Sequence, residues 1–459
     1  MTDPIPAILR RIDDAQPAAL DRLKEFLRIP SISTDPEHAG DCDTAADWLV
    51  AELTDLGFDA SKRKTAGHPM VVAHGGEGGR HVLFYGHYDV QPVDPLSLWN
   101  RDPFDPAVEQ TASGPVLRAR GASDDKGQLM TFLEACRAWR DETGSLPCKI
   151  TCLFEGEEES GSPSLIPFLE ANADELRAEI ALICDTGMFE GRVPSIVTSL
   201  RGLVGEEITV TGPDRDLHSG GFGGLAMNPA RVLTRILGRM HDEDGRVTIP
   251  GFYDGVGSPP TQVLEGWKNL GFSAERFLGA VGLSEPSGET GFTPLEMLWS
   301  RPTAEINGIS SGYTGAGFKT VLPSEATAKV SFRLVGGQDP LRLRTAFRDW
   351  VIAQIPKDCR VSFGDHGASP ASTMGLDHPV FAATQQALSA EWQRQAAFVG
   401  GGGSIPIAGY FQTVLGMDSM LTGFARSDDQ IHSPNEKYDL KSFHIGTRSW
   451  ARILGSLVA

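Results

Sequence analysis

Four short runs constrain the fold most tightly: "MVVAHG" (70–75), "HVLFYGH" (81–87), "KITCLFEGE" (149–157) and "EIALICD" (179–185). Each is apolar or β-branched on both faces, a pattern expected of strands covered on both sides. Helical periodicity precedes or separates them in "LDRLKEFLRI", "TAADWLVAELTDLGF" and "KGQLMTFLEACRAWRDE". The alternation predicts an α/β fold, a mixed, largely parallel sheet flanked by helices. Three of these strands run out into an ionisable residue, and in open α/β sheets functional groups collect just beyond the strand carboxyl ends. His87, Glu158 and Asp185 are therefore expected to converge although they are distant in sequence.

Beyond Asp185 the texture changes. "VGEEITVTG", the helical "NPARVLTRILGRM", a glycine- and proline-rich span from Asp242 to Ser311, the alternating "EATAKVSFRLV" and the helical "PLRLRTAFRDWVIAQI" read as a separate α+β unit inserted into the first domain. "SMLTGF" and the closing helix "LKSFHIGTRSWARILGSLV" resume the earlier style. A chain of 459 residues exceeds the usual size of one core, so two domains are expected.

Charge narrows the partners. Lys and Arg number 41 against 60 Asp and Glu, a net charge of −19, which repels phosphate backbones and anionic membranes. No run approaches the roughly 18 apolar residues that a membrane span needs, and the start lacks a basic region followed by a long apolar core. These features predict a cytoplasmic protein with neither nucleic acid nor membrane as partner. Six cysteines lie scattered without a CxxC pair, several within apolar patterns, and are expected to be buried thiols.

Four segments carry the residue types of a two-metal hydrolytic site. In "GHYDVQP", His87 and Asp89 are two apart at a strand end and share a side, so Asp89 can take one ring N–H while the other ring nitrogen binds metal. In "RGASDDKGQL", Asp124 and Asp125 precede a helix whose N-terminus favours anions, and Asp124 is the expected bridging carboxylate. In "LFEGEEESGS", Glu158 and Glu159 are adjacent and must diverge: one can coordinate metal while the other faces the water to be activated. "LICDTG" adds Asp185 and "RSDDQIHSPNEKY" adds His432. With Asp124, Glu159 and Asp185 as ligands of two dications, one positive charge remains for a bridging hydroxide, leaving Glu158 as general base. Each of these signals alone fits a capped helix, a solvated acidic loop or a hydrogen-bonded histidine. Their occurrence together and in order is what points to a metal centre.

These strings resemble the dinuclear zinc or manganese aminoacyl hydrolases that include carnosinase, cytosolic nonspecific dipeptidase, carboxypeptidase G, acetylornithine deacetylase and succinyl-diaminopimelate desuccinylase. The similarity runs from about Leu20 to the end, and "DLHSGGFGG", "FKTVLP", "GGSIP" and "HSPNEKY" point to the carnosinase and nonspecific dipeptidase branch. The resemblance implies a catalytic domain of residues 1–200 and 374–459, with a lid and dimerisation domain over 201–373. It implies that His87, Asp124 and Asp185 hold one metal and that His432, Glu159 and the shared Asp124 hold the other. Asp89 would orient His87, Glu158 would move the proton, and the peptide bond from Asp124 to Asp125 would be cis. His218 matches a lid histidine that stabilises the oxyanion in the partner's site of a homodimer. Thr320, Arg333, His366 and Ser404 match substrate-contacting positions, the arginine suiting a peptide's free carboxylate. Where relatives often carry Arg-Glu before "GGSIP", this chain has Gly400 and Gly401. The expected activity is metal-dependent hydrolysis of dipeptides or short peptides with a free C-terminus, with N-acyl amino acid deacylation as the alternative.

Overall fold

A computed structural model describes residues 3–403 and 405–457. The chain divides into two compact units, the first formed by residues 1–198, 374–399 and 410–459, the second by 199–373 and 400–409.

The first unit is built on a mixed sheet. Its strands run in the order Asp59–Arg63, Met70–Gly75, Lys149–Glu155, His81–His87, Ile180–Ile183, Ser419–Thr422, Ser195–Leu200. The four in the middle, from Lys149–Glu155 to Ser419–Thr422, are mutually parallel, and the pairings on either side of them are antiparallel. Met70–Gly75, despite its two-faced apolar texture, thus runs against its neighbour. The middle strands are buried almost throughout. Helices Ile5–Leu27, Lys126–Thr143 and Leu440–Gly455 pack against one another, and Phe132 and Trp450 from two of them meet Phe84 of the central strand. Phe84 stacks on Phe132 with centroids 3.6 Å apart and meets the Trp450 ring edge-on at 5.5 Å. Parallel strands put their carboxyl ends on one edge, which is where His87 and Asp185 fall.

A small antiparallel sheet, Lys437–Asp439 beside Gly114–Arg118 beside Ala107–Thr111, brings the segment after Arg118 next to the segment before Lys437. The peptide bond from Asp124 to Asp125 is cis, as is that from Asp94 to Pro95. All six cysteines are buried thiols. Among the described residues no helix is long and apolar enough to cross a membrane.

The second unit has a four-stranded antiparallel sheet in the order Thr303–Ser311, Glu325–Leu334, Gly202–Thr211, Arg360–Ser369. Glu325–Leu334 alternates strictly, with Ala326, Ala328, Val330, Phe332 and Leu334 inward. Helices Pro229–Leu237 and Pro340–Ile352 cover that inner face, contributing Leu233, Ile236 and Phe347 to its core. Both start as their sequences dictate: proline follows an Asn228 or Asp339 cap whose side chain accepts two backbone amides.

Candidate metal centre

His87 is the last residue of its strand and is fully buried. Its Nδ1 lies 3.1 Å from the main-chain oxygen of Asp89 and 3.4 Å from Asp89 Oδ1, while Nε2 lies 3.1 Å from Asp124 Oδ1. Asp124 projects from the loop that leads into helix Lys126–Thr143, and its other oxygen, Oδ2, is 3.0 Å from His432 Nε2. The same His432 nitrogen is 3.2 Å from Glu159 Oε2. One aspartate thus stands between two imidazoles that are far apart in the chain.

Ligand atoms of His87, Asp124 and Asp185 lie within 4.8 Å of one another, and so do those of Asp124, Glu159 and His432. Asp124 belongs to both groups. The two glutamates diverge as their adjacency requires: Glu159 turns to His432 and accepts a 2.7 Å hydrogen bond from Gln91 Nε2. The remaining Glu159 oxygen, Oε1, is buried without a hydrogen-bond partner. A buried carboxylate with an orphaned oxygen, in a residue whose ligand atom lies within 4.8 Å of those of Asp124 and His432, is what a bound cation satisfies, and with the His87, Asp124 and Asp185 group beside it the residues present fit a pair of divalent ions.

Electrostatics point the same way. Withdrawal from water, together with repulsion from Glu159, Asp124 and Asp89, pushes Glu158 up to about 7. Desolvation, with repulsion from Asp124, Glu158 and Glu159, raises Asp185 well above the usual carboxylate range. His432 is driven up to about 10 by its contacts with Asp124 and Glu159. In each case the chain gathers more negative charge than water alone would relieve, and a proton and a dication compete for the same lone pairs.

Of the four carboxylates in "EGEEE", two serve the scaffold. Glu157 accepts the backbone amides of His68 and Ser164, at 2.9 and 3.0 Å. Glu155 is buried and receives the Tyr85 hydroxyl. Gln91, which donates to Glu159, and Glu436, which accepts the Asp124 amide, also contribute to the site, although residue type alone does not single them out. Gln91 lies two positions beyond Asp89, on the same side of an extended segment, and that spacing is the signal that could have found it.

The remaining expected residues belong to the second unit. His218 ends the short strand Leu217–His218, paired with Val321–Leu322, so it lies beside Thr320, whose carbonyl oxygen accepts the amide of Ser219 at 3.1 Å. The exposed His218 ring accepts the Gly220 amide at Nδ1, 3.0 Å, which leaves the proton of the neutral ring on Nε2. Arg333 sits on the outward-alternating side of Glu325–Leu334, opposite Leu203 and Thr303. His366 is exposed at an irregularity of Arg360–Ser369, with Nε2 3.7 Å from Glu207 Oε2. Ser404 lies outside the described residues. Gly400 faces Trp299 so closely that a side chain at 400 would collide with the Trp299 Cβ, a physical reason for glycine there.

Residues 83–456 match the sequence profile of peptidase family M20/M25/M40. The chain is 29% identical over 468 residues to the Cys-Gly metallodipeptidase of Candida albicans, covering 97% of this chain and 96% of that one. It is 27% identical over 462 residues to the human Beta-Ala-His dipeptidase, covering 98% and 85%. In structure it is similar to the M20 family metallo-carboxypeptidase Sso-CP2 of Sulfolobus solfataricus, with a TM-score of 0.80 at 31% identity over 96% of this chain and 99% of that one.

Proposed function

Because the chain belongs to peptidase family M20/M25/M40, we propose that it hydrolyses the amide bond of dipeptides or short peptides with a free C-terminus. His87, Asp124 and Asp185 would hold one divalent cation, and His432, Glu159 and the shared Asp124 a second. The observation that carries this reading is Asp124 standing in both ligand groups, 3.1 Å from one imidazole and 3.0 Å from the other. Nitrogen and oxygen donors of this kind suit zinc or manganese. When bound, the cations supply Lewis acidity toward the scissile carbonyl and make water a nucleophile near neutral pH.

The protein's own groups do the rest. Glu158, pushed up to about 7, is matched to taking a proton from the attacking water and returning it to the leaving amine. Asp89 fixes the ring of His87 from the Nδ1 side. His218, with its proton on Nε2, is suited to donate to an oxyanion, and Arg333 to pair with the substrate's free carboxylate. Thr320, His366 and Ser404 complete the substrate contacts by their motifs, and a homodimer through the second unit would give His218 its target. Six unpaired thiols agree with a cytoplasmic setting.

The test is Glu158→Gln, which should cut dipeptide turnover by about 10²–10⁴-fold while the bound metal stays unchanged. Undiminished turnover removes Glu158 from this role. A panel of dipeptides against N-acetyl and N-succinyl amino acids decides the substrate class; preference for the acylated compounds would replace the dipeptidase reading with deacylation.

A further inference from the structure

Glu436 is fully buried four residues beyond His432. Its Oε1 accepts the backbone amides of Ser123 and Asp124, at 2.8 and 3.0 Å. Its Oε2 accepts the amide of Gly121 at 2.9 Å and Arg120 Nη1 at 2.7 Å, and its own carbonyl oxygen accepts the amide of Ala119 at 3.2 Å. A neighbouring tie runs in parallel: Ser123 Oγ donates to Asp429 Oδ2 at 2.8 Å. All of these bonds join the loop that carries Asp124 to the loop that carries His432.

The second loop does not hold its shape by local preference. Gln430, His432 and Asn435 have φ of 58°, 59° and 66°, left-handed values that asparagine tolerates but that cost a residue such as glutamine roughly 1 kcal/mol or more. Contacts from outside the loop must therefore fix it. Asn435 supplies some, accepting the Asn100 amide and donating to the Leu98 carbonyl, both at 2.8 Å. Glu436 supplies the connection to Asp124 itself. Three amides aimed at one carboxylate form an anion cradle, and hydrogen bonds to a charged acceptor are the stronger kind.

We propose that Glu436 is a positioning residue that sets the separation of Asp124 and His432, and hence the second cation site, before any cation arrives. The proposal rests on the reading that these two residues share a metal. A glutamine at 436 keeps the shape but turns an NH2 group toward donors, so it can satisfy only part of the cradle. An aspartate keeps the charge beside Arg120 but draws the carboxylate back by about 1.5 Å.

The experiment is titration of chelator-stripped protein with Co(II), followed by visible absorption, on wild type, Glu436→Gln, Glu436→Asp and the control Glu391→Gln. Glu391 is also a buried carboxylate with two arginine partners, Arg448 and Arg452, on helices away from the two loops. Wild type should take up two equivalents. Both Glu436 variants should bind the second equivalent about 10–100-fold more weakly and the first nearly as before, whereas Glu391→Gln should lose thermal stability without changing either. If Glu436→Gln does not fold, the charge-keeping Glu436→Asp carries the measurement. A wild type that takes up fewer than two equivalents overturns the metal-centre reading itself. A normal wild type with Glu436 variants that titrate identically, or that weaken both equivalents only in step with lost stability, overturns the positioning role.

Discussion

Asp89 accepts the backbone amides of both Glu158 and Glu159, at 3.3 and 3.0 Å, while it faces Nδ1 of His87. One buried carboxylate therefore fixes the end of strand His81–His87 against the turn that follows its parallel neighbour Lys149–Glu155. In Asp89→Asn, the carboxamide nitrogen would confront one of those amides donor to donor. We expect a folded protein with turnover and metal affinity each reduced about 10–100-fold. Wild-type values in a metal titration and a dipeptide assay would show that the amide contacts do not matter.

Sharing of Asp124 gives an asymmetric expectation for the two sites. Asp124→Ala should lower the affinity of both metal equivalents, whereas His432→Ala should spare the one nearer His87 and Asp185. Metal content after gel filtration, at several free-metal concentrations, separates the two cases. Equal losses from the two variants would mean the groups are not independent sites joined by one ligand.

Glu155 makes stability depend on pH. Desolvation in its buried position pushes its carboxyl up to about 8 from the ordinary 4.5. Between these values the unfolded chain has released the proton and the folded chain retains it, so the folded state binds more protons. Stability should fall as pH rises through that window, by up to about 1.4 kcal/mol per pH unit from this group. Glu155→Gln should flatten that slope. Urea unfolding at pH 5, 6, 7 and 8 in the presence of chelator measures the difference, and parallel slopes would count against it.

Phe84 anchors the strand that delivers His87. It is fully buried, stacked on Phe132 and edge-on to Trp450 and Phe154. Phe84→Ala should cost about 3–5 kcal/mol in denaturant unfolding. A loss below 1 kcal/mol would mean that neighbouring side chains close the cavity.

What could be read in advance divides along physical lines. Strand ends, helix caps and ligand-type residues in short strings are written locally, so the meeting of His87 with Asp185 at one sheet edge followed from burial pattern and chain direction. The direction of Met70–Gly75 did not, because an apolar run reports coverage on both faces and not which way the strand points. Glu157 and Glu159 look alike in "GEEES", yet one holds backbone amides and the other faces His432. Glu436 left little trace because its partners are mostly main-chain amides, which carry no residue type.

Strand Ser419–Thr422 lies between Ile180–Ile183 and Ser195–Leu200, inside the sheet, although it comes almost at the end of the chain. During synthesis, the two earlier strands must each wait with one unpaired edge until residues 419–422 emerge, more than 200 residues later. Removing residues 419–422 would therefore open a gap inside the sheet rather than trim an edge, separating the strand that leads to Asp185 from its antiparallel side.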